Sequence, residues 1–356
     1  MLIAPLDWGL GHATRCIPVI RHLQQQQVDV IVAAEGKIAL ILSEAFPGIT
    51  ILPLKGYRIQ YSRNKRFFSF KILLQLPKIL YSIRRERKWL ESVIEQYQIS
   101  GVISDNRFGL YSNKIPCIFI THQLQIQSGS GFLDSVIQKL NYGFINRFTE
   151  CWVPDVEGNN NFAGDLSHPG LLPSVPVKYL GILSRFKKLN QPVKYAAAII
   201  ISGPEPQRSI FEKIILEQLN GFEKQVVVVR GLPDEKNPMK TENSNLTIFN
   251  HLNADELSQI MQQSQVVIAR SGYSTVMDLM ATGTKSILIP TPGQTEQEYL
   301  AQYLSKKQLC IHVSQDAFLL SEALSLALSF EYNFPEKAST NESVIREWIA
   351  GLKKDE

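Results

Sequence analysis

Two glycine-bearing turns, one near each end of the chain, constrain what it can fold into. They are Gly9-Leu10-Gly11-His12-Ala13-Thr14-Arg15 and Arg270-Ser271-Gly272-Tyr273-Ser274-Thr275. Each follows a short apolar run and opens a helical pattern. A strand that turns directly into a helix aims the helix's first N–H groups at the crevice beyond the sheet edge, where an anionic ligand is favoured. Two such openings in one chain imply two nucleotide-binding-like domains facing one cleft. The length, 356 residues, passes the size at which a single core usually stops growing.

The runs between the turns support this. In the first half, strand signals at 2–5, 28–33, 50–54, 101–104, 117–121 and 151–153 alternate with helical patterns at 13–25, 37–45, about 70–97 and 133–148. A second cycle places strands at 196–201, 225–229, 246–249, 266–269, 285–289 and 310–313, again separated by helices. Short apolar runs alternating with helices predict parallel sheets covered on both faces. The fold class is therefore α/β, with two Rossmann-like domains. The expected boundaries are an N-terminal domain over 1–181, a C-terminal domain over 182–335, and a terminal segment over 336–356. In that segment Val344, Ile345, Trp348 and Ile349 fall at helical spacing, which fits a helix closing on another surface.

Bulk properties narrow the classes further. The chain is 44% hydrophobic and 20% charged, with a net charge of +4, too weak a bias to indicate nucleic acid. Cys16, Cys117, Cys151 and Cys310 lack metal-ligand spacing and read as reduced, buried thiols. No signal peptide and no run of about 20 apolar residues is present, so a cytoplasmic protein is expected. The first apolar run is only Leu2 to Pro5: either the strand is short or the natural start lies a few residues upstream.

The side chains at the strand ends carry the chemistry. His12 lies in the first turn of a helix that starts at a crevice, and its near-neutral unperturbed pKa suits it to accept a proton. The competing reading is local capping or packing. Arg15 follows on the same turn, where it could meet a phosphate or carboxylate. Asp105 and His122 follow two further strands, where open α/β sheets place ligands. Asp105 reads as a group that orients or deprotonates an acceptor and His122 as a second acid or base, with turn-forming roles as the alternative for each. His168, before Pro169-Gly170, reads as structural.

The first turn, together with the run from Arg270 through Ser271, Gly272 and Thr275 to Asp278, Gly283, Pro290 and Gln297-Glu298-Tyr299, resembles a known family. It is the GT-B glycosyltransferase family that contains the peptidoglycan enzyme MurG and the plant galactolipid synthases (glycosyltransferase family 28, C-terminal domain type). The resemblance spans nearly the whole chain, more specifically in its C-terminal half. It implies a GT-B fold with a UDP-sugar donor held by the C-terminal domain. Asp278 takes the place of a glutamate that bonds the ribose hydroxyls. Ser202-Gly203 corresponds to a phosphate-facing loop, although Pro204 and Pro206 remove two amide donors. The diphosphate then falls to Ser202, Gly203, Ser271 and Gly272, and the N-terminal turn at Gly11 faces the same ligand. Arg270 either assists or braces the loop, and Arg208 is a weaker candidate. Leu252 corresponds to a residue meeting the base, and Gln297 to a glutamine on the sugar hydroxyls. Glu298 replaces a second glutamine, and a carboxylate accepts but cannot donate, so the sugar stays open.

The resemblance thus implies an inverting, metal-independent hexosyltransferase without a cofactor beyond its donor substrate. Two alternatives are a UDP-sugar hydrolase, similar to the pseudaminic acid pathway enzyme in Gly9 to Cys16, and a non-catalytic nucleotide-sugar-binding protein. Residues 57–88 interleave Arg58, Arg63, Lys65, Arg66, Lys71, Lys78, Arg84, Arg85, Arg87 and Lys88 with aromatic and leucine side chains. Such a segment suits peripheral contact with an anionic membrane on its inner face and a lipid-linked acceptor; a solvated helix face is the bland alternative.

Overall fold

The computed structural model describes residues 1–7, 9–57, 68–126, 131–335 and 340–352. The chain forms two compact units: Met1–Ser184 joined by Ser339–Glu356, and Arg185–Ala338.

The first unit is built on strands β1 (Leu2–Pro5), β2 (Ile31–Ala34), β3 (Thr50–Pro53), β4 (Val102–Asp105), β5 (Cys117–Ile120), β6 (Glu150–Val153) and β7 (Val177–Tyr179). They form one parallel sheet in the order β3-β2-β1-β4-β5-β6-β7. Helices α1 (Leu10–Gln25), α2 (Gly36–Ala45), α3 (Phe68–Tyr97) and α4 (Gly131–Ile145) connect the strands. Because β1 and β5 are buried along their whole length, their sequences read as continuous apolar runs and not as alternations; β4 is equally buried but ends on Ser104 and Asp105. Leu2, Ala4, Leu90, Phe119, Phe148 and Cys151 pack in one core.

Strand β7 is not expected from the sequence, where its Val-Lys-Tyr run is too short to stand out. Its three residues are all half-buried, it pairs only with β6, and Pro169, Pro173 and Pro176 precede it. Proline is tolerated at sheet edges because no ladder donor is needed there. Only the neighbouring β6 makes this segment a strand.

The second unit repeats the plan with β8 (Ala197–Ile200), β9 (Val226–Val229), β10 (Leu246–Phe249), β11 (Val267–Ala269), β12 (Ser286–Leu288) and β13 (Ile311–His312). The parallel order is β10-β9-β8-β11-β12-β13, with α5 (Gln207–Gln218), α6 (Ala254–Gln262), α7 (Tyr273–Thr282), α8 (Thr295–Lys306) and α9 (Leu320–Ser329) between strands. Ile199, Phe211, Val228, Ile268 and Ile287 share its core.

The last helix, α10 (Glu342–Leu352), belongs to the first unit. Its apolar spacing buries Val344, Ile345, Trp348 and Ile349. Trp348 meets the fully buried Trp152 edge-on at 5.3 Å. A bridge between Gly181 and Thr340 and a bond from the Asn341 N–H to the Leu180 carbonyl bring the chain back to this surface.

Candidate active site

Each sheet reverses its strand order once, between β1 and β4 in the first unit and between β8 and β11 in the second. The crevice beyond the carboxyl ends of strands at such a reversal is where open α/β sheets bind ligands. Both glycine turns lie there, since α1 follows β1 and α7 follows β11.

In the first unit, Asp105 ends β4 and is fully buried. Helix α1 presents His12, Arg15 and Cys16 to it, three residues that share a face through their i, i+3 and i+4 spacing. His12 Nδ1 lies 3.1 Å from Asp105 Oδ1. Arg15 donates to both carboxylate oxygens, from Nε at 2.8 Å and from Nη2. Its Nη2 also lies 2.8 Å from His12 Nδ1, and its Nη1 lies 3.1 Å from Nδ1 of His122, in the loop after β5. The Cys16 thiol points to Asp105 Oδ2 at 3.7 Å.

These contacts reassign several expected roles. Burial alone would raise the pKa of Asp105, but Arg15 and then His12 outweigh it and hold the carboxyl well below the usual carboxylate range. A buried carboxylate held ionised by a guanidinium does not take a proton from an acceptor; it orients the imidazole beside it. His122 is 7% exposed and faces a group that only donates, so its Nδ1 is the acceptor and its proton sits on Nε2. That leaves His122 unsuited to act as a base through Nδ1. Arg15 is 3% exposed and tied to Asp105, so it is not a free phosphate ligand. His12 keeps 16% of its side chain exposed. Burial pulls its pKa down; Asp105 opposes and Arg15 reinforces, with a net lowering. His168 stacks on Tyr179 at 4.6 Å, and its Nδ1 bonds the Ser167 hydroxyl at 2.8 Å, a packing role.

A second buried cluster, absent from the sequence reading, stands beside this one. Glu86 of α3 is fully buried and accepts from Arg107 Nε at 2.8 Å, the Tyr57 hydroxyl at 2.8 Å and the Gly109 N–H at 3.1 Å. Arg107 also donates to the carbonyls of Pro5 and Lys55. Gly109 has to be glycine, since a Cβ there would lie 2.4 Å from the Ile83 carbonyl oxygen and 2.5 Å from Glu86 Cβ. The cluster fixes the end of β1, and with it the start of the loop that leads to His12. Only the alternation of charge with aromatics in 57–88 hinted at it.

In the second unit, Ser202 and Gly203 follow β8, and Gly203 sits at φ +109°, a region glycine enters without strain. Gly203 is exposed and Ser202 half-buried. Gly272 caps α7 with backbone N–H groups at its start, and Asp278 stands half-buried on the same helix. The Ser271 hydroxyl donates to the Gln297 carbonyl at 2.7 Å, which commits its proton and ties the turn to α8. Gln297 accepts from the Thr291 N–H at 2.9 Å and donates to Gln294 at 2.6 Å, while Glu298 accepts from the Gly293 N–H at 2.8 Å. Both side chains expected on sugar hydroxyls thus close the 291–294 loop, with one further N–H on Gln297 and one further oxygen on Glu298.

Arg270 takes the bracing role. It is 1% exposed and donates to the carbonyls of Ile289, Pro290 and Gln207 and to the Gln315 side chain, with its guanidinium 4.3 Å above the Phe211 ring. Burial pulls its pKa down to about 10, and its two terminal nitrogens are both committed to these acceptors. Arg208 is likewise engaged, by Glu205, Glu212 and the Arg230 carbonyl. Leu252 is buried just ahead of a capping box in which Asn253 and Glu256 exchange bonds at 3.0 and 3.1 Å, which holds its loop. The four cysteines are free and buried. Among the described residues no group of three His, Cys, Asp or Glu is placed to hold a metal ion.

Two parallel sheets, each with one order reversal and a glycine turn at it, define the class: a protein of two doubly wound, Rossmann-like α/β units. Residues 186–348 match the glycosyltransferase family 28 C-terminal domain. Over 347 residues the chain is 23% identical to the UDP-N-acetylglucosamine–N-acetylmuramyl-(pentapeptide) pyrophosphoryl-undecaprenol N-acetylglucosamine transferase of Microcystis aeruginosa, covering 95% of this chain and 89% of that protein. Among solved structures, MurG of Acinetobacter baumannii superposes with a TM-score of 0.51 at 16% identity over 99% of both chains. The glycotransferase of kitacinnamycin gives 0.66 at 13% identity, over 99% of this chain and 93% of that one. The fold is that of the GT-B glycosyltransferases, the second unit carries a glycosyltransferase family 28 C-terminal domain, and the chain is a glycosyltransferase similar to MurG-type enzymes.

Proposed function

We propose that this glycosyltransferase moves a hexose-type sugar from a UDP-sugar to a hydroxyl of a lipid-linked acceptor, with inversion and without a metal ion. The observation that carries the reading is the His12–Asp105 pair at the strand-order reversal of the first unit. A neutral imidazole with one nitrogen against a buried carboxylate and its ring edge open to the crevice is arranged to take the acceptor's proton as the oxygen attacks the anomeric carbon. For this, Nδ1–H has to donate to Asp105, 3.1 Å away, with the Arg15 Nη2 that lies 2.8 Å from the same nitrogen turned aside, so that Nε2 carries the lone pair. In the second unit the amides at Gly203 and at the start of α7 suit the diphosphate, whose negative charge grows as it departs. Asp278 on α7 suits the ribose diol. The similarity to undecaprenol-linked acceptor enzymes supports the acceptor class.

His12→Ala tests the base. Transfer should fall about 10²–10⁴-fold, while UDP affinity by calorimetry stays within a small factor. Near-normal turnover in that variant removes His12 from the role. Incubation with UDP-sugars alone separates transfer from hydrolysis: rapid, complete sugar release without acceptor makes water the acceptor.

A further inference from the structure

Arg15 reaches Asp105, His12 and His122 together at the first crevice. Its fork covers both oxygens of Asp105, and its outer nitrogens lie 2.8 Å from His12 Nδ1 and 3.1 Å from His122 Nδ1. Arg15 and Asp105 are 3% and 0% exposed, so water screens neither.

The charge of this cluster decides how readily His12 takes up a proton. A buried histidine beside an uncompensated carboxylate gains a proton, because the ion pair that results is neutral as a whole. Here the guanidinium has already neutralised the carboxylate. A proton on His12 would leave the cluster with one net positive charge in surroundings that penalise it. The groups that face His12 are Asp105 on β4, Arg15 on its own helix and His122 after β5. Of these only Asp105 favours the imidazolium, and Arg15 offsets it.

We propose that Arg15 is a positioning residue that compensates Asp105 and so keeps His12 uncharged, ready to accept a proton, at neutral and mildly acidic pH. The catalytic meaning of this rests on His12 being the base, but the charge coupling itself can be read without any substrate. The net lowering of the His12 pKa, led by burial and reinforced by Arg15, agrees with the geometry.

The test is an NMR titration of the full chain carrying ¹⁵N-labelled histidine. The resonance of His12 among the six histidines is identified by its loss in His12→Gln. In the unsubstituted protein His12 should titrate below its ordinary pH. In Arg15→Gln, where Asp105 is uncompensated, its proton affinity should rise about tenfold or more. In Asp105→Asn, where Arg15 is uncompensated, it should fall. A purely structural role for Arg15 gives no such pair of opposite shifts. Should Arg15→Gln fail to fold, Arg15→Lys keeps the charge and should leave His12 near its original titration, with Asp105→Asn still shifting it downward. An unchanged His12 titration in Arg15→Gln, an upward shift in Asp105→Asn, or an imidazolium at pH 7 in the unsubstituted protein overturns the proposal. Because no transfer is measured, a failed transferase reading leaves this result unaffected.

Discussion

At the residue scale, the two units use carboxylates in opposite ways. Asp105 is sealed from water and locked to Arg15, whereas Asp278 stands half-buried on α7. If Asp278 accepts from ribose hydroxyls, Asp278→Ala should weaken UDP binding by about 1.5–3 kcal/mol, read by calorimetric titration. Equal affinity in both proteins would remove the residue from that role. His12 makes a second prediction. Its folded pKa is depressed, so the neutral form persists below the ordinary histidine value of about 6.5. As pH falls, the acid limb of kcat/KM should therefore set in below pH 6.5. The same sign holds for stability: the unfolded chain binds the His12 proton first, so the contribution is full above about 6.5 and declines as pH falls toward the folded value. An acid limb centred at or above 6.5 would contradict this.

At the element scale, α1 and β4 make the first crevice, and the Glu86–Arg107–Tyr57 cluster ties α3 to the ends of both flanking segments. Burial raises the Glu86 pKa more than Arg107 and Tyr57 lower it, so this carboxylate is held against its preference for water. Removing its partner should be costly. Arg107→Met is expected to destabilise the chain by about 3–5 kcal/mol at pH 7, measured by urea denaturation. The cost should shrink near pH 4, where an unpaired Glu86 is protonated in the folded state and no longer buries a charge. A penalty that did not vary with pH would show that packing, not the uncompensated charge, dominates.

For the whole molecule, no helix among the described residues is long and apolar enough to cross a membrane. Arg58, Arg63, Lys65, Arg66 and Phe67 lie outside the described residues. Further along α3, Lys78, Leu80, Tyr81, Arg84 and Lys88 are exposed, Tyr81 to 67%. Basic heads beside an exposed ring and leucine suit an anionic surface. The protein should sediment with anionic liposomes more than with neutral ones, and added salt should reduce the difference. Equal and negligible binding to both would return this face to solvent and favour a soluble acceptor.

Much of the architecture was written locally. The strand and helix signals, the two glycine turns and the helical spacing of Val344, Ile345, Trp348 and Ile349 sit within a few residues of one another, because backbone propensity and apolar periodicity are short-range properties. They also named His12, in the first turn of its helix, and Asp105, at the end of its strand. What the sequence could not decide was partnership. Asp105 read as either an orienting group or a base until Arg15 took both its oxygens, Arg270 as either a phosphate ligand or a brace until four acceptors surrounded it, and Gln297 and Glu298 as sugar contacts until the 291–294 loop engaged them. Strand β7 became a strand only beside β6. A hydrogen-bond partner or an edge pairing is supplied by chain far away in sequence, and which distant group arrives is settled only when strand order sets neighbours side by side.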